Sequence, residues 1–159
     1  MLEEIERAFD GVPSPGPDQR TLFQAEAWDG YRVVDQRRDH LGRWQELSPE
    51  AILQCPNALP HLDEAGVRYY LPAILSLMLR STRARRSWLH ASLHFFLEPG
   101  EGELKDDQRK KLALLDPRQR SAILSFLEWS DEATESALSA WRRVVEGGDD
   151  PSWFRSFDA

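Results

Sequence analysis

Two histidines four residues apart, His90 and His94, put both rings on one helical face, where they can share a metal ion. A catalytic zinc motif of this kind also needs a glutamate directly after the first histidine, and that position holds Ala91. A third ligand would have to come from elsewhere, Glu98 being nearest in sequence. The alternative is two half-exposed histidines beside an apolar stripe, and neither metal nor cofactor is assigned. Cys55, between Gln54 and Pro56, lacks the basic neighbours that lower a thiol pKa, so it reads as a small buried apolar side chain. No Gly-x-Ser-x-Gly elbow and no glycine-rich phosphate loop occurs. Carboxylates such as Glu64, Asp106 and Asp107 stand at helix starts, where they serve the dipole. No residue is therefore assigned as a general acid, base or nucleophile.

Binding residues are easier to nominate. Arg80-Ser81-Thr82-Arg83-Ala84-Arg85-Arg86 carries four arginines in seven residues. Arginine forks take phosphate or carboxylate bidentately, so Arg83, Arg85 and Arg86 are candidates, against the reading of a solvated loop paired with acidic neighbours. Trp44, Tyr69 and Tyr70 combine apolar bodies with hydrogen-bonding tips, which suits a binding groove as well as a core. After Gly147-Gly148-Asp149-Asp150-Pro151 come Trp153, Phe154 and Phe157. These rings either fold back over the core or dock on a partner.

The elements that must position these groups are mostly helical. Residues 2–10 predict a short helix with Leu2, Ile5 and Phe9 on one side. Gly11 to Pro17, with three prolines, predicts an irregular connector. Between Asp18 and Leu41 the spacing of Tyr31, Val34, Arg38 and Leu41 favours a helix ended by Gly42, with a strand at Tyr31–Val34 as the alternative. Ser48-Pro49-Glu50, Asp63-Glu64 and Asp116-Pro117-Arg118-Gln119 carry helix-start signals, the last as a capping box. Further helices are predicted over about 85–97 and 104–115, separated by the Pro99–Gly102 turn. A last helix opens at Ser130-Asp131-Glu132, buries Ala137, Trp141 and Val144 or Val145, and ends at Gly147. Pro72 lies within the apolar segment after Asp63, so the chain is expected to kink or restart near Leu71. The sum is an all-α, bundle-like single domain over residues 1–159, of five to eight helices, with 146–159 as a candidate aromatic tail.

The chain has 20 basic and 27 acidic side chains, a net charge of −7, and 41% hydrophobic residues across 159. That content is ordinary for one globular domain. The acidic balance disfavours a sequence-independent grip on nucleic acid, and Arg80–Arg86 alone is a weak signal for one. One cysteine permits no internal disulfide. The acidic start is unlike a secretory signal, and the apolar run from Tyr69 to Leu79 falls short of the roughly 20 residues that span a bilayer. A cytoplasmic protein without a membrane partner is expected.

The order of several blocks is also familiar: Ala8-Phe9 with Val12-Pro13-Ser14-Pro15, Trp44-Gln45-Glu46-Leu47, Tyr69-Tyr70-Leu71-Pro72-Ala73, and Leu115-Asp116-Pro117-Arg118-Gln119 through Ala122 to Phe126-Leu127. Over residues 2–129 this resembles a family of small bacterial proteins known only as a domain of unknown function. The Tyr-Tyr-Leu-Pro-Ala and Gln-x-x-Ala-x-x-x-Phe-Leu blocks carry most of the likeness. Asp116 stands where the resemblance leads one to expect Thr or Ser, with the same capping role. The resemblance implies a bacterial, helical, soluble protein and transfers no catalytic residue. The expectation is a non-catalytic protein-binding role, such as an accessory or immunity-type protein that masks a partner. The alternative is a small-molecule site, enzymatic or not, near Trp44, Tyr69, Tyr70 and the arginine run.

Overall fold

The structure, a computed structural model, describes residues 1–30, 39–40 and 42–146. These form an all-helical fold: α1 (Leu2–Ala8), α2 (Leu22–Asp29), α3 (Pro49–Leu53), α4 (Glu64–Arg80), α5 (Thr82–Arg85), α6 (Trp88–Leu97), α7 (Glu103–Ala113), α8 (Pro117–Trp129) and α9 (Glu135–Val145). Two single 3-10 turns, Trp44–Glu46 and Leu59–His61, join them. The described residues hold nine helices where five to eight were expected; α5 is one turn of helix in the arginine run that the sequence presents as a loop. Ser81 starts it, its hydroxyl accepting from the Ala84 amide at 3.2 Å.

Local chemistry sets most helix starts. Ser48 caps α3 through the Ala51 amide at 3.1 Å, with Pro49 at the first helical position. The Asp116 carboxylate takes the Arg118 and Gln119 amides at 2.8 and 3.0 Å, while the Gln119 side chain takes the Asp116 amide. The same reciprocal box opens α2: Thr21 and Gln24 satisfy each other's backbone amides. Asp63 does two jobs. One oxygen caps α4 through Gly66 N–H at 2.8 Å, and the other takes the Arg20 amide at 2.6 Å. Gly66 fits because a Cβ there would stand 2.9 Å from the Arg20 carbonyl oxygen.

Helix α4 is the axis of the core. Every residue from Tyr69 to Met78 is buried, and α1, α5, α7 and the Trp44–Glu46 turn pack on it. It does not restart at Pro72. The helix runs unbroken from Glu64 to Arg80 with the proline inside it. Burial on all sides holds the segment helical despite a local cost of about 3 kcal/mol. Helix α8 then packs on α1 and α9, so elements from both ends of the described chain share one helix. Helix α9 starts at Glu135, later than expected. Ser130 has its hydroxyl 2.9 Å from His94 Nε2, and Thr134 makes the cap instead, 3.0 Å from the Ala137 amide. Ala137, Trp141 and Val144 are buried as predicted.

No C-cap residue of these helices lies in the left-handed region that glycine favours; among the described glycines, Gly11 and Gly102 have positive φ. Distant side chains serve the terminal carbonyls. Trp44 Nε1 donates to Phe9 O at 2.9 Å beyond α1, and Trp141 Nε1 to Leu97 O at 3.0 Å at the end of α6. Arg85 donates to Met78 O at 2.6 Å near the end of α4, and Arg120 to Ala113 O at 2.6 Å at the end of α7. Lys105 closes α6 further, through Phe95 O and through Glu98 O at 3.0 Å.

The expected Tyr31–Leu41 helix rests on residues 31–38 and 41, which lie outside the described residues. So do Gly147 and the tail with Trp153, Phe154 and Phe157.

Candidate functional site

Where α4, α3, α1 and the Trp44–Glu46 turn meet, they leave a cleft of about 290 Å³. Its buried wall is Trp44, Leu47, Ile52, Ala73, Ser76 and Leu77. Glu6, Gln45, Pro49, Arg80 and Ser81 complete the lining. Ala73, Ser76, Leu77 and Arg80 fall at helical three- and four-residue steps along α4, so one helix face supplies much of the surface. Glu6 and Arg80 are paired there at 3.1 Å, which ties α1 to the end of α4. The Trp44 indole N–H is spent on Phe9 O. The Ser76 hydroxyl is different: it is buried and has no hydrogen-bond partner. A serine inside a helix commonly bonds the carbonyl four residues back, and this one does not.

The other nominated residues separate from one another. Tyr69 and Tyr70 are 0% and 1% exposed, packed edge to face with ring centroids 4.8 Å apart, and neither lines the cleft. Tyr69 donates to Gly42 O at 2.8 Å. Burial, reinforced by Glu46, pushes its phenol pKa up to about 12. Burial raises Tyr70 as well, outweighing a hydrogen bond with the Leu22 backbone. Both are protonated core phenols at neutral pH.

The arginine run splits in three. Arg80 pairs with Glu6 at the cleft. Arg85 bonds Met78 O, Leu79 O and Thr82 Oγ1, and its guanidinium lies 5.6 Å from the centre of the Trp129 ring. Arg83 and Arg86 are exposed. The run therefore presents no converging set of four guanidinium groups.

His90 and His94 do share a face, with ring centroids 4.7 Å apart and the planes nearly perpendicular. Burial, then the neighbouring His90, lowers the His94 pKa to about 4, so it is neutral at pH 7. Its Nε2 is occupied with Ser130, and the Glu98 carboxylate accepts from Thr134 at 2.6 and 2.8 Å. Among the described residues no group of three or more histidine, cysteine, aspartate or glutamate side chains is placed to hold a metal. Cys55 is buried and is not part of a disulfide. No described helix is long and apolar enough to cross a membrane.

The structure also brings forward residues the sequence reading passed over. Trp28 and Trp88 are 65% and 68% exposed, on helices that both pack against the Leu59–His61 turn. Each is held. Trp88 Nε1 donates to Asn57 Oδ1 at 2.9 Å, and the Asn57 backbone N–H donates to Glu26 at 2.8 Å. Trp28 lies under the Arg20 guanidinium, 4.7 Å from the ring centre, and Arg20 is itself fixed to His61 O and Asp63. Trp28 also borders an open groove of about 370 Å³ with Pro17, Gln24 and Asp63. A signal was available: both tryptophans occupy helix ends, Trp28 beside Asp29-Gly30 and Trp88 directly after Ser87, away from any apolar stripe.

No curated protein and no solved structure matches the chain. A family model does, over residues 1–146, and the chain thereby belongs to the family of unknown function DUF6714.

Proposed function

We propose that this chain is a non-catalytic protein-binding module, of the accessory or immunity type, acting in the bacterial cytoplasm. The observation that carries the reading is the pair of immobilised, solvent-facing tryptophans, Trp28 and Trp88. Exposed tryptophan is the residue type most enriched among interface hot spots. A ring already fixed by a hydrogen bond or a stacked guanidinium loses little freedom on docking, which favours affinity. Glu26, Asp29 and Asp63 stand close by, and the chain carries a net charge of −7, so the fitting partner surface is apolar and basic. Steering between such surfaces speeds association at low salt.

The test is affinity capture of the tagged chain from its native lysate at low and high salt, beside a Trp28→Ala/Trp88→Ala double variant. One stoichiometric protein is expected with the wild type and none with the variant, whose melting temperature stays within a few degrees. Recovery of the same protein by both, or of no stoichiometric protein by the wild type, overturns the reading.

A further inference from the structure

We propose that α7 is a detachable helix: it opens as a unit while α4 stays folded, and in opening it unfastens the turn and the helix end that support the two exposed tryptophans. Little apolar area holds α7 down. Of its buried residues, Lys105, Gln108, Lys111 and Leu112, only the leucine is apolar. Gln108 is 1% exposed, and neither its amide nitrogen nor its amide oxygen has a hydrogen-bond partner among the described residues. Both groups regain partners in water when the helix lifts, so the closed state alone bears that cost. Burial, opposed by Glu98, lowers the Lys105 pKa, so its ammonium is likewise better solvated in the open state. The ion pairs of Asp106 with Arg109 and of Asp107 with Lys111 lie within the helix and do not tie it to the core. Its N-cap, Gly102, has no side chain to hold the first turn, and its φ of 100° is one that glycine adopts freely. A helix of 11 residues is marginal in water, so α7 unwinds once it leaves its seat.

What α7 does grip is the support of the tryptophan surface. Lys111 donates to Pro60 O at 2.9 Å, in the turn that α2 and α6 both pack against. Lys105 donates to Phe95 O and Glu98 O at the end of α6. Trp28 lies on α2 and Trp88 on α6. Opening α7 therefore loosens that surface without melting α4. This consequence rests on the protein-binding reading; the opening itself does not.

The test is native-state hydrogen exchange of the ¹⁵N-labelled full chain by NMR, from zero to sub-denaturing urea, with no partner present. The α7 amides should exchange through one shared opening, with protection at least about tenfold lower than that of Leu71 to Leu77 in α4 and a shallower urea slope. Gln108→Leu, of similar size and without the amide, should slow α7 exchange about tenfold. Protection and urea slope in α7 equal to those in α4 overturn the proposal, because α7 then opens only with global unfolding. Exchange that is unchanged or faster in Gln108→Leu overturns it too, since the amide is then paired. Partner capture can fail without altering these results, and exchange can fail without altering capture.

Discussion

Helices α4 and α7 are both packed into this protein, yet they are built on opposite principles. Helix α4 is buried from Tyr69 to Met78 and holds its place by apolar area. The buried face of α7 is Lys105, Gln108, Lys111 and Leu112, three of them polar. Its amines are fastened to carbonyl oxygens: Lys105 to Phe95 and Glu98, Lys111 to Pro60. The first helix obtains stability from an undirected force and tolerates a proline. The second depends on specific partners and on protonation state. A charged residue near a carbonyl-rich helix end is thus a structural donor before it is a ligand-binding group, and Arg85 makes the same point within the arginine run.

The contrast can be tested in order of expected effect. Ile74→Ala in α4 should cost 2–5 kcal/mol, by the usual cavity cost of about that size, read as a fall in urea midpoint at unchanged slope. Polar burial should show next, as pH dependence at His94. Its folded pKa of about 4 lies below the ordinary 6.5, so the unfolded chain binds the proton first as pH falls. Stability is fully present above pH 6.5 and declines toward pH 4, by less than the full shift implies because water still screens the half-buried ring. Urea melts of wild type and His94→Gln across pH 4–7 should differ in slope against pH, with the variant flatter. If both decline alike, the acid sensitivity belongs elsewhere.

Lys105→Met should cost about 1–3 kcal/mol, because it strips the donor from the Phe95 and Glu98 carbonyls while keeping the length of the stem. Thermal melts of that variant compare polar burial directly with the apolar loss at Ile74. Pro72→Ala should have the opposite sign and gain about 1 kcal/mol: the restored amide bond to Arg68 outweighs the lost ring contacts. A loss instead would mean that the ring's packing matters more than the helix ladder. Smallest of all, Arg86→Ala should stay within about 0.5 kcal/mol, since its side chain is exposed.

What the sequence made legible was what a few adjacent residues decide. Ser48-Pro49 and Asp116-Pro117 announce their helices because cap and proline act within one turn. Leu89, Leu93, Phe96 and Leu97 announce their buried face by spacing alone. Thr21–Gln24 carried the same capping signal but opened a helix whose apolar residues form no clear stripe, whereas the spacing at Tyr31–Leu41 is the more helical one. Pro72 misled because its penalty is local while the burial that overrides it comes from distant elements. Ser130 and Thr134 are equivalent caps on paper; His94, thirty-six residues before Ser130, decides between them. The cleft was half visible. Trp44 was nominated, while of the arginine run it is Arg80, not the nominated Arg83, Arg85 or Arg86, that lines the cleft, and a serine inside an apolar run gives no sign that its hydroxyl lacks a partner.

The manner in which the helix ends are closed has a kinetic consequence. The Trp44 bond to Phe9 spans 35 residues, that of Trp141 to Leu97 spans 44, and Ser125 to Glu4, at 2.9 Å, spans 121. Contacts across such separations carry the greatest loop-closure cost and form late. Helix α1, seven residues long, is too short to persist alone and should dock only after α4 and α8, the helices it packs on, are in place. Weakening its contacts, as in Trp44→Phe, should therefore accelerate unfolding in stopped-flow traces while leaving the refolding rate nearly unchanged. The first helix in the chain would be the last to be made and the first to be released.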